Sequence, residues 1–173
     1  MRYALIREMD ITNGEQVGIS LFVQGCPFHC RGCFNQETWD FDGGQEWTQE
    51  IEKQFLEIAG RPYVKRISIL GGEPLCDQNI DTIIDLLQKL NSLYPEKKRW
   101  VYTGYDWHAL LGDRRIIAMY YSDVMVVGPF QLENQDINHK TMKWAGSTNQ
   151  IVIDGRESCV HREPILHKGS FDH

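Results

Sequence analysis

The sequence predicts an α/β fold, a single domain built on a mostly parallel sheet. Three observations predict it. Short apolar, β-branched runs alternate with stretches of helical periodicity, the pattern of strands joined by right-handed crossovers. The chain has 173 residues, enough for one sizeable core. The loops after three of the expected strands hold the unusual residues, and parallel α/β folds place their sites at that edge. The sheet is either open or curved into part of a barrel.

The elements follow in order. Residues 16–24 are mostly apolar and β-branched and predict a strand that runs into a cysteine-rich loop. A turn-rich stretch follows through Asp42, Gly43 and Gly44. Thr48 is the expected N-cap of a helix with Ile51, Phe55 and Ile58 on one face, stopped by Arg61-Pro62. Residues 65–70 predict the next strand, ending in Gly71-Gly72-Glu73-Pro74. Ile80, Ile83, Ile84, Leu87 and Leu90 keep helical spacing, with Asp81 and Asp85 early and Lys89 late, as the helix dipole favours. Residues 99–103 predict a third strand, ending at Gly104, and residues 107–119 a helical stretch. Residues 124–127 and 150–154 predict two further strands. Residues 155–173, with His161, His167 and His173, read as an extension, a loose tail after a domain of residues 1–154.

Composition excludes several classes. The net charge is -6, with both signs dispersed and no basic block, so nucleic acid is not an expected partner. Apolar runs are too short to span a bilayer. The start, Met1-Arg2-Tyr3, lacks a secretory apolar core. A cytoplasmic location with reduced thiols is expected. Three of the five cysteines, Cys26, Cys30 and Cys33, crowd into eight residues. An odd count and tight clustering argue for metal rather than disulfides.

The spacing CxxxCxxC lets one compact loop offer three soft thiolates to iron–sulfur or zinc. Three ligands leave one position open, and an open position is where chemistry occurs. A structural zinc completed by His29, Cys76 or Cys159 is the alternative, although Cys76 and Cys159 each read as ordinary thiols. Gly71-Gly72-Glu73-Pro74 joins a strand to a helix. Its glycines permit close approach of a ligand, or serve a plain turn.

The CxxxCxxC loop followed by an aromatic residue, Phe34, resembles the signature of the radical S-adenosylmethionine superfamily. That resemblance implies a partial (β/α) barrel in which Cys26, Cys30 and Cys33 hold a [4Fe–4S] cluster. S-adenosylmethionine then chelates the iron that has no protein ligand. By the same resemblance Gly72 and Glu73 hold the methionine ammonium group, and Gly32, Cys33 and Phe34 lie beside the adenine.

Further runs, Leu21 to Cys26, Cys33 to Asn35, Thr38-Trp39, Trp100 to Tyr105 and Trp144 to Gln150, are similar to the activating proteins of anaerobic ribonucleoside-triphosphate reductases. This second resemblance covers about residues 1–154. It implies a glycyl-radical activase served by a one-electron reductant such as flavodoxin. Tyr105, Ser147, Asn149 and Gln150 would then face the partner's glycine loop, although residues 146–150 serve equally as a plain turn into the last strand. Within the superfamily, a pyruvate formate-lyase-type activase or a deazaguanine synthase is the rival reading. A zinc-binding interaction module is the rival from outside it.

Overall fold

The computed structural model describes residues 1–136 and 143–170. Seven strands form one open sheet in the order β3-β1-β2-β4-β5-β6-β7. They are β1 (Arg2–Asp10), β2 (Gly18–Val23), β3 (Gln45–Glu46), β4 (Arg66–Gly71), β5 (Lys98–Thr103), β6 (Val124–Val127) and β7 (Ile151–Asp154). The helices are α1 (Gln49–Ala59), α2 (Ile80–Leu93), α3 (Trp107–Leu111), α4 (Arg115–Tyr121) and α5 (Gly155–His161).

The central strands β2, β4, β5 and β6 pair in parallel, as the alternation of elements predicts. The margins do not. β1 and β3 add antiparallel on one side, and β7 pairs antiparallel with β6 on the other. In the described part of the connection between β6 and β7 the helical structure is a single 3-10 turn, Leu132–Asn134. A parallel pairing needs a crossover over the sheet, so the chain instead returns beside β6 in the opposite sense. β1 escapes pattern-based detection because Leu5 and Met9 are exposed and charged residues interrupt it. The expected helix over 107–119 breaks into α3 and α4 at Gly112.

Thr48 caps α1 as expected, its hydroxyl accepting from the Ile51 amide at 3.3 Å. Alternate residues of the central strands (Ile19, Leu21, Ile67, Ile69, Val101, Met125) pack against Phe55, Leu86, Leu87, Leu90 and Met119 of the helices. The helices therefore cover one face. The other face carries Phe22, Leu70 and Tyr102 towards a cleft and has a smaller cluster around Trp100, Val126 and Val152.

A buried ion pair stands at the foot of that second face. Arg66 is 1% exposed and Asp10 2%. The Arg66 guanidinium meets Asp10 Oδ1 at 3.3 Å and donates to the carbonyls of Asp10, Asn13 and Glu15 at 2.7–3.0 Å. Burial pulls the Asp10 carboxyl upward. Hydrogen bonds from the Asn13 and Thr12 amides and the Asn13 side chain outweigh it and hold the group well below the usual carboxylate range. The stability this contributes is present above the ordinary value of 3.8 and is lost as the pH falls below it. Replacing Arg66 with methionine removes the buried partner of Asp10, which keeps Arg7 Nη1 at 3.1 Å, and unties the carbonyls of Asp10, Asn13 and Glu15; it should lower the unfolding free energy by about 3 kcal/mol in urea titrations.

The stretch beyond residue 154, expected as a loose tail, forms α5 and then returns along β7, where Ile153 and Leu166 form a β-bridge. His173 lies outside the described residues. No helix among the described residues is long and apolar enough to cross a membrane.

Candidate functional site

All four parallel strands deliver their C-terminal ends to one place. Cys26 follows β2, Gly72 and Glu73 follow β4, Thr103 and Gly104 close β5, and Gly128 follows β6. Together they edge a cleft of about 800 Å³ over the face of the sheet that the helices leave open. Cys26, Cys30, Cys33, Phe34, Gly72, Glu73, Tyr102, Trp144 and Gln150 are in its lining.

The cysteine loop is shaped by its backbone. The Gly25 amide donates to Thr38 O at 2.8 Å and the Cys26 amide to Trp39 O at 3.1 Å, so the loop closes on the segment that follows it. The Cys33 amide donates to Cys30 O at 3.0 Å, a tight turn made possible by Gly32 at φ +76°. Cys26 is buried, and Cys30 and Cys33 are half-buried. Burial raises the Cys26 thiol against the downward pull of the Phe28 and His29 amides, and it raises Cys30 in the same way. The metal-free Cys26 and Cys30 thiols therefore hold their protons, which metal binding releases.

The glycine turn is welded to this loop. The Glu73 amide donates to Gly25 O at 2.8 Å and the Gly72 amide to Val23 O at 2.9 Å. The Glu73 carboxylate is buried, 1% exposed, and ties its own turn to the end of β5. Its Oε1 accepts from the Leu75 amide (2.9 Å) and the Thr103 hydroxyl (2.8 Å), and its Oε2 from the Gly104 amide (2.7 Å). Burial pushes this carboxyl up to about 7, even though those three donors pull it down. Asn79 Nδ2 donates to the carbonyls of Gln24 and Glu73, both at 3.0 Å, bracing both loops from behind.

Sequence reasoning missed Asn79 and the role of Thr103 as a partner of Glu73. It also missed Thr12 and Asn13, which line the cleft from the loop between β1 and β2. A polar residue just before a helical run was a visible signal for Asn79. The others depend on non-local pairing.

The four residues expected to face a partner are placed differently from one another. Gln150 lines the cleft, with its Oε1 accepting from the Gly146 amide at 2.8 Å. Ser147 is fully buried and its hydroxyl accepts from the Gln131 amide at 3.2 Å. Asn149 is exposed and donates to Pro129 O at 2.8 Å. Tyr105 packs edge-on against Phe28, and its hydroxyl accepts from Arg115 at 2.9 Å, so it buttresses the cysteine loop from outside the cleft lining. Phe34 is 65% exposed beside Phe130.

Known proteins resemble this chain over most of its length. A family model described as a 4Fe-4S single cluster domain matches residues 12–153. The anaerobic ribonucleoside-triphosphate reductase-activating protein of Vibrio cholerae is 34% identical over 154 residues, covering 88% of this chain and 97% of its own length. The proteins of the same name from Escherichia coli strain K12 (36%, 88% and 97%) and Enterobacteria phage T4 (32%, 87% and 92%) are similar as well. The chain belongs to this family of reductase-activating proteins.

The residues of this family member fit a [4Fe–4S] cluster. Three thiols, the softest side-chain donors, edge one open cleft. Of the residues that could complete a closed zinc site, the His29 ring stacks on Trp39 at 4.7 Å, Cys76 is buried and outside the cleft lining, and Cys159 lies 3.8 Å from Ile116 O beside α4. The cluster is the family's cofactor, and Cys26, Cys30 and Cys33 are the side chains suited to hold it.

Proposed function

We propose that this protein is a radical S-adenosylmethionine enzyme that reductively cleaves S-adenosylmethionine and installs a glycyl radical on an anaerobic ribonucleoside-triphosphate reductase. One observation carries the reading: three cysteine thiols and the Gly71–Pro74 turn share a single cleft at the C-terminal ends of β2 and β4. The family membership supplies the reaction class. In this reading the open sheet is the partial (β/α) barrel of the radical enzymes, residues 1–154 are the catalytic domain, and residues 155–173 are its extension.

Cys26, Cys30 and Cys33 hold the cluster and leave one iron free of protein. A bound, reduced cluster supplies the electron that splits the carbon–sulfur bond of S-adenosylmethionine. The turn at Gly72 and Glu73 receives the methionine ammonium group. The Glu73 carboxylate, in the cleft lining and already occupied by three donors, fixes the shape of that turn. Gly32, Cys33 and Phe34 lie along the adenine. Gln150 contacts the partner's glycine-bearing segment, with Ser147 and Tyr105 supporting the walls behind it and Asn149 at the rim. A one-electron donor such as flavodoxin serves the cluster in the cytoplasm, and no nucleic acid or membrane takes part.

Electron paramagnetic resonance tests the reading. Anaerobic protein should carry about four iron atoms per chain. Mixed with reductant, S-adenosylmethionine and the reductase, it should yield a glycyl doublet. An intact cluster with no doublet would overturn the choice of partner, and a colourless zinc protein would overturn the chemistry.

A further inference from the structure

Residues 155–173 lie beyond the matched family domain, which ends at residue 153. Over its described part, this extension runs along the outer edge of the sheet and contacts Glu15 and Trp100, which adjoin the residues that line the cleft. After α5 the chain turns at Arg162, left-handed at φ +55°, and runs back along the outer edge of β7. There the Asp154 amide donates to Ile165 O at 2.9 Å and the His167 amide to Val152 O at 3.0 Å. The His167 side chain is 16% exposed. Its Nδ1 meets Asp154 Oδ1 at 2.5 Å and its Nε2 meets Glu15 Oε1 at 3.1 Å. The ring stands edge-on to Trp100, with 5.6 Å between ring centres.

Glu15 belongs to the loop between β1 and β2. That loop enters β2 at its N-terminal end, so it sits a full strand away from the cysteines. Thr12 and Asn13 of the same loop line the cleft. Arg66 grips the loop from beneath through the carbonyls of Asn13 and Glu15, and His167 grips it from the side through the Glu15 carboxylate. Trp100, the other neighbour of His167, packs on the cleft-lining Trp144 with 5.7 Å between ring centres.

We infer that the extension is a clasp whose His167 fixes the loop between β1 and β2. Resting on the activase reading, we infer also that this fixed loop shapes the end of the cleft that receives the partner's glycine-bearing segment. His167 is a positioning residue acting through Glu15, with no part in the electron transfer. The two ring nitrogens lie within hydrogen-bond distance of carboxylates on two different segments. Without the imidazole, Glu15 and Asp154 face a common gap as like charges and the loop loses its lateral tie.

The test uses anaerobic, cluster-loaded wild type, His167→Ala and His167→Gln. In His167→Ala, amide hydrogen exchange of residues 11–16 should accelerate about tenfold or more, with α2 unchanged. The KM for the reductase should rise about tenfold while that for S-adenosylmethionine stays constant. His167→Gln, which keeps a donor for Glu15, should recover most of both. Unchanged exchange of residues 11–16 in His167→Ala would overturn the clasp. The two KM values rising together, or neither rising, would overturn its role towards the partner. A wild type that makes no glycyl radical would fail the activase reading, and the exchange result would still decide the clasp.

Discussion

Cys30→Ser should abolish the cofactor and leave the fold standing. Iron should fall from about four atoms per chain to a small residue, the brown colour should go, and no glycyl radical should form above background. Serine is nearly the same size, but its oxygen is a poor donor to iron compared with a thiolate. Cys30 is half-buried at the cleft edge and outside the main core, so the circular dichroism spectrum and the unfolding midpoint of the metal-free protein should match wild type. Cys26→Ser should lose the cluster equally. It is buried, so its polar replacement should also lower the unfolding midpoint of the metal-free protein. Full iron content in Cys30→Ser would mean that another side chain takes its place, and the three-thiol centre would be wrong.

Gly72→Ala should retain iron and lose the nucleotide. A Cβ at this position would lie 2.4 Å from Gly25 O and 3.0 Å from Thr38 O, both main-chain atoms with no freedom to swing aside. The two loops must separate, which breaks the bond from the Glu73 amide to Gly25 O. Overpacking of this kind costs about 1–3 kcal/mol of stability. The larger effect falls on binding: a turn displaced by even a fraction of an ångström no longer matches its ligand, and affinity for S-adenosylmethionine should drop at least about tenfold. The change that S-adenosylmethionine causes in the spectrum of the reduced cluster measures this directly. Gly112→Ala is the control. Its added Cβ would meet only ordinary contacts at 3.7 Å or more, and binding should be unchanged. Tight nucleotide binding by Gly72→Ala would remove the turn from the site.

The cysteine loop and the glycine turn were legible because their chemistry is local. CxxxCxxC sets three donors within one loop whatever the rest of the chain does, and Gly71-Gly72 announces a close approach before the approaching group is known. The partners of Glu73 were not legible in the same way. Thr103 and Gly104 sit in a loop some thirty positions later, and only the parallel register of β4 and β5 brings them to the carboxylate. Ser147 and Asn149, in a polar run that could serve a site or a turn, are engaged with the backbone of Gln131 and Pro129, and of that run Gly146 and Gln150 reach the cleft lining.

From the sequence alone came α1 and α2, the four parallel strands, the cysteine loop and the edge of the sheet that carries it. Each of these rests on periodicity or spacing within some ten residues, and a single stretch of chain carries it. Tertiary structure decided the rest. It added β1 and β3 at one margin, reversed β7 at the other, and brought the end of the chain back to Glu15. Those features depend on pairing between distant segments, where backbone hydrogen bonds go to whichever edge is free, and side-chain order along the chain does not record which edge that will be.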